Sequence, residues 1–134
     1  MIKKERARRK KAIILFKISL FAILLASYLL IRFVFFNIHG MKDFPSLLAF
    51  IAGSVLLLSV LMNKKTLSIF VDIGYILGFI IAMLFNSDTY DRGGGILNNS
   101  WIIWIIVFFF SVVIGWFIEV ITTIKNSRKL ELDN

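Results

Sequence analysis

Four ionisable side chains interrupt the long apolar runs of this chain: Lys17, Arg32, Asp72 and Glu119. A charge at the centre of a bilayer costs about 2.5–3.5 kcal/mol on insertion scales, so each such residue needs a partner, a route to water or a function. Lys17, Asp72 and Glu119 are each the sixth residue of their run when counted from the same side of the membrane. At about 1.5 Å per helical residue, all three then lie roughly 8 Å below one boundary. One cation and two carboxylates in a single layer could pair, with Lys17 bridging Asp72 and Glu119, and the remaining negative charge could hold a proton or a cation. The plainer expectation, and the favoured one, has Lys17 snorkelling to the head groups while the two carboxylates are wetted at the interface and fix helix rotation. Arg32, followed by Phe33, Phe35 and Phe36, lies near the other end of its run and is expected to snorkel outward. Its alternative partners are Asp88 and Asp91 in a distant loop, and such a pair would pin that loop to the helices. A conduction path would need further polar groups across the midplane, where little is found beyond Ser54, Ser59 and Ser111.

The second concentration of chemistry is the stretch 86–100, NSDTYDRGGGILNNS. Its phosphate-loop reading fails because no Lys-Ser or Lys-Thr follows the glycines. Its calcium-loop reading fails because Asp88 and Asp91 lack the one-three-five spacing and the terminal Glu. What remains is a solvated turn or a recognition loop, with Asp88, Tyr90, Asp91 and Arg92 as the candidate contact residues. His39 is the single histidine and has no ligand set near it, and the chain has no cysteine. No nucleophile, base and acid stand within reach of one another in a recognisable spacing. The sequence therefore predicts neither an enzyme nor a metal or cofactor site.

The elements that carry these residues follow from composition. The chain has 134 residues, 59% of them hydrophobic and 18% charged, and a mean hydropathy of +0.87, more apolar material than one soluble core of that length can hide. Soluble globular, disordered, collagenous and disulfide-stapled classes are excluded together. A spanning helix needs about 20 apolar residues, because backbone groups in lipid must be satisfied within the segment. Runs at 12–36, 46–62, 67–85 and 101–124 meet that need. The expected fold is an all-α membrane protein, a single domain over 1–134 with four transmembrane helices in an antiparallel bundle. Its connections are outer loops at 37–45 and 86–100 and a short link at 63–66.

Twelve Lys and Arg flank the amino terminus, the short link and the carboxyl terminus, against two, Lys42 and Arg92, in the other connections. The positive-inside rule then places both termini in the cytoplasm of a multi-pass plasma-membrane protein. The composition, rich in Ile, Phe, Lys and Asn, is compatible with an AT-rich bacterial gene. The first run is about twice as long as a signal-peptide core and is expected to be an uncleaved anchor. The cations at residues 3–11 are a topology signal that attracts anionic head groups, not a nucleic-acid site, since no aromatic or helix-turn-helix context accompanies them.

Helices in lipid associate where small residues let backbones approach and where side chains bond across helices. Gly74, Gly78 and Ala82 form such a stripe on the third run, Ala49 and Gly53 on the second, and Ser111 and Gly115 on the fourth. Because the short link joins the second and third runs, their small faces are expected to meet. Trp101 and Trp104 are expected at one membrane interface and Trp116 at the other. Asn98, Asn99 and Ser100 are candidate caps for the fourth helix. Two function classes fit. One is a protein acting by contact with another membrane component or its own copies, as an accessory subunit, regulator or immunity factor. The other is a small transporter or channel subunit using the intramembrane carboxylates. A holin-like lesion former is a weaker third.

Overall fold

The computed structural model describes residues 1–35 and 43–134, so most of the expected 37–45 loop, with His39 and Lys42, lies outside the described residues. The fold is all-α, with four long apolar helices packed against their neighbours. Helix α1 spans Ile2–Leu29 and passes into a π-helical turn at Leu30–Val34, closed by the Phe35 amide donating to the Leu30 carbonyl at 3.2 Å. Helices α2 (Phe44–Leu61), α3 (Lys65–Leu84) and α4 (Ser100–Leu132) follow. Each is long and apolar enough to cross a membrane. The first and last helices run past the apolar stretches into the charged ends of the chain, since Lys, Arg and Glu are good helix formers and nothing there stops the ladder.

The α2–α3 turn explains itself locally. Asn63 has φ 56°, a left-handed conformation that Asn tolerates better than most residues. It stands just past the end of α2, where the Lys64 amide donates to the Ser59 carbonyl at 2.8 Å and the Asn63 amide to the Val60 carbonyl at 3.1 Å. That pair of bonds satisfies the orphan carbonyls of a helix end and reverses the chain within a few residues. Pro45 sits in the first turn of α2, where its missing amide costs nothing.

The connection between α3 and α4, expected as a solvated turn or a recognition loop, is a β-hairpin. Strands β1 (Asp88–Tyr90) and β2 (Ile96–Asn98) pair antiparallel, with Asp88 opposite Asn98 and Tyr90 opposite Ile96. The Gly94 amide donates to the Asp91 carbonyl at 2.8 Å and the Asp91 amide to the Gly95 carbonyl at 2.9 Å, with Gly94 at φ 79°. This is a three-residue hairpin loop, a turn followed by one left-handed residue, and the left-handed place is where glycine is needed.

Burial is uneven. Of the apolar window of α3, 44% of residues are buried by neighbours, against 11% for α1 and 17% for α4. Helix α3 is the centre, packed against α4 on one side and α2 on the other, while α1 packs on α2 and more lightly on α3. The core consists of Leu20 and Leu24 of α1, Ile31 of the π-helical turn, Leu48, Ala52 and Leu56 of α2, Val71, Tyr75, Phe79 and Ala82 of α3, and Trp104 and Phe108 of α4.

Candidate functional site

The glycine stripe on α3 decides which helix lies closest, and it is not α2. A Cβ built on Gly74 would fall 2.8 Å from the Ser111 Cβ, and one on Gly78 would fall 2.5 Å from the Trp104 Cδ1. On the facing helix, a Cβ on Gly115 would fall 2.6 Å from the Phe70 Cβ. The small-residue face of α3 therefore meets α4, whereas the nearest group to a Cβ on Gly53 is the Leu24 Cδ2 of α1, at 4.0 Å. The expected meeting of the α2 and α3 small faces is corrected on this point. The short link guarantees adjacency, but side-chain volume decides which face turns where, and a Trp opposite Gly78 fills space that an Ala or Ser of α2 would leave empty. Ala82 is buried and Ala49 is packed against the core.

Trp104 is accordingly a core residue and not an interface anchor. It is fully buried and its indole N–H donates to the Tyr75 carbonyl at 2.9 Å. The rings of Phe44, Tyr75 and Phe79 surround it at centroid distances of 5.5, 5.2 and 5.3 Å. Trp101 and Trp116 remain exposed. Two turns along α4, the Ser111 hydroxyl donates to the Phe70 carbonyl at 2.8 Å, a second bond from an α4 side chain to the α3 backbone. The spacing of Trp104 from Phe108, Ser111 and Gly115 was a legible signal, since it places all four on one helical face.

The three ionisable groups of the expected layer do reach the same end of the bundle, beside the α2–α3 turn, but they do not bridge one another. The Lys17 Nζ donates to the Asn63 Oδ1 at 2.7 Å. The Glu119 Oε2 accepts the amides of Thr66 at 2.8 Å and Leu67 at 3.4 Å, so a carboxylate from α4 caps the first turn of α3. A negative charge on the unpaired amides of a helix start is stabilising, and Glu119 supplies it from outside the helix. Asp72 is 5% exposed, and among the described residues neither carboxylate oxygen has a hydrogen-bond partner.

One turn from Asp72 lies a hydroxyl pair. The Ser59 and Ser68 Oγ atoms are 2.8 Å apart, and each is also 2.8 Å from a backbone carbonyl, of Leu56 and Lys64 respectively. Two hydroxyls carry two protons for these three contacts, so one of them is made at the expense of another. The buried polar side chains Ser59, Ser68 and Asp72 thus gather toward the turn end, and the other half of the interior is closed by the Trp104 aromatic cluster.

At the far end, the hairpin is tied to the start of α4. The Asn99 Oδ1 accepts the Ser87 amide at 2.7 Å, the Asn98 Oδ1 accepts the Ser100 amide at 2.8 Å, and the Asn98 Nδ2 donates to the Asp88 Oδ1 at 2.7 Å. Of the expected caps, only Asn98 serves α4, while Asn99 turns back onto the hairpin. The Asp91 Oδ1 accepts the Arg92 amide at 2.7 Å, so Asp88 and Asp91 are both engaged within the hairpin. The Arg32 guanidinium lies 6.0 Å from the Phe33 ring centroid. Tyr90, 76% exposed, and Ile96, 66% exposed, stand opposite each other on the hairpin face that also carries Asp88 and Asn98.

Comparison with protein-family models, with curated proteins and with solved structures gives no match. Composition and fold together define the class: a small polytopic membrane protein with four candidate spanning helices in contact with a lipid bilayer.

Proposed function

We propose that this chain is a multi-pass protein of the plasma membrane, with both of its ends in the cytoplasm, that acts without catalysis by contact with another membrane component, as an accessory subunit, regulator or immunity factor. The observation that carries the reading is the hairpin. A two-stranded ribbon is marginal by itself in water, yet this one is tied at its base by both Asn98 and Asn99 and holds Tyr90 and Ile96 side by side in the open. Exposed aromatic and branched apolar side chains on a fixed platform suit recognition, because little conformational entropy is lost when they are covered. Lys and Arg of the amino-terminal stretch attract anionic head groups alongside. The test is a photoactivatable residue at position 90 in native membranes. One reproducible protein adduct is expected, absent when the same group replaces lipid-facing Leu47, and abolished by Asn99→Ala. Adducts to lipid alone would remove the reading.

A second reading, a small transporter or channel subunit, is favoured by Asp72, a buried carboxylate with both oxygens unpartnered beside the Ser59–Ser68 pair. Buried unpaired carboxylates are functional by default in membrane helices. Proton or cation flux in liposomes that Asp72→Asn abolishes would establish it, and flux indifferent to Asp72→Asn and Glu119→Gln would end it.

A further inference from the structure

Lys17 projects from the inward face of α1, the face on which Leu20 and Leu24 are buried, and is itself half-buried. Among the described residues its one hydrogen-bond partner is the neutral Asn63 side chain. Its side chain lines a cavity between α1 and the α2–α3 turn, together with Phe16, Leu20, Val60, Lys64 and Lys65. Three lysines therefore line one recess, and among the described residues no carboxylate stands within salt-bridge distance of any of them. The nearby Glu119 is committed to the α3 amides. Three like charges around one recess make it a favourable place for an anion.

We propose that this recess binds one anionic phospholipid of the adjoining leaflet. The recess, about 20 Å³, has room for one water-sized group, which fits a single non-bridging phosphate oxygen. That oxygen takes the Lys17 ammonium, which has donors to spare beyond Asn63. The rest of the head group lies at the mouth between Lys64 and Lys65, and an acyl chain runs along the apolar side of the recess, past Ile13 and Phe16. A free phosphate would meet the same lysines but leave that apolar wall uncovered, which is why a lipid is the better occupant. The site does not depend on whether the hairpin finds a partner.

The full chain, purified in a mild non-ionic detergent, is read by native mass spectrometry and thermal unfolding while phosphatidylglycerol, phosphatidylcholine or inorganic phosphate is added. One phosphatidylglycerol per chain and a raised Tm are expected, with neither from the other two. K17Q is expected to weaken binding at least about tenfold, beyond the roughly fivefold that one cation at a membrane surface is worth. K17R restores it, and K125Q/K129Q, two charges removed from the exposed end of α4, leaves it unchanged. Should K17Q fail to fold, K64Q/K65Q in the same recess carries the same expectation. Equal binding of phosphatidylcholine, binding of inorganic phosphate at equal strength, or loss in K125Q/K129Q matching that in K17Q would each overturn the proposal.

Discussion

The seam between α3 and α4 and the seat of α1 are both helix contacts in the same bundle, built on different principles. The seam uses absent side chains: Gly74, Gly78 and Gly115 each face a bulky or polar group closer than a Cβ would permit. Into that space come a buried indole and two hydrogen bonds to main-chain carbonyls. Helix α1 and its π-helical turn bury Leu20, Leu24 and Ile31, leave apolar grooves against α2 and α3, and reach their neighbours by two side-chain bonds, Lys17 to Asn63 at 2.7 Å and Tyr28 to Ser46 at 3.0 Å, without any close backbone approach at a glycine. Apolar contact alone gains little in lipid, because tails replace it at no cost, so the close approach and the bonds carry the association. The bundle is thus a tight pair with two progressively looser neighbours.

The comparison can be broken most severely at Trp104. Trp104→Ala empties the aromatic cluster and is expected to destabilise by about 3–5 kcal/mol, measured by denaturant titration of the detergent-solubilised protein with far-UV circular dichroism. Gly78→Ala, which forces a methyl group onto the indole, is expected to cost about 1–3 kcal/mol in the same titration. Glu119→Ala removes the carboxylate from the first turn of α3 and should cost about 1 kcal/mol, with Glu119→Gln losing less because an acceptor remains. Gly53→Ala on the loose side meets only ordinary contact with Leu24 and is expected to change stability by less than about 0.5 kcal/mol. If Gly53→Ala cost as much as Gly78→Ala, the two contacts would not differ in kind. Amide hydrogen exchange sharpens the same contrast: α1 should exchange before α3, whose neighbours cover it on two sides.

Much of the architecture was legible because hydropathy and helix length answer to the bilayer rather than to neighbours. Four runs long enough to span, a link too short to cross and Pro45 at a helix start are local facts of the chain. So was the existence of a small-residue face on α3. Its partner was not, since a GxxxG spacing states that something approaches closely without saying what. The common depth of Lys17, Asp72 and Glu119 could be counted, but their partners could not. Lys17 meets Asn63, an unlikely ligand to name from sequence, because its side chain was free only once its backbone had taken the left-handed place in the turn.

The chain by itself determined how many helices there are, where they turn and which charges lie near a boundary, because each of these depends on residues within a few turns of one another. Tertiary structure alone decided that α3 is the centre, that Trp104 is core and Glu119 a cap, and that Asp72 is left without a partner. Those outcomes depend on helix rotation, and rotation is set only when volumes on different helices compete for the same space.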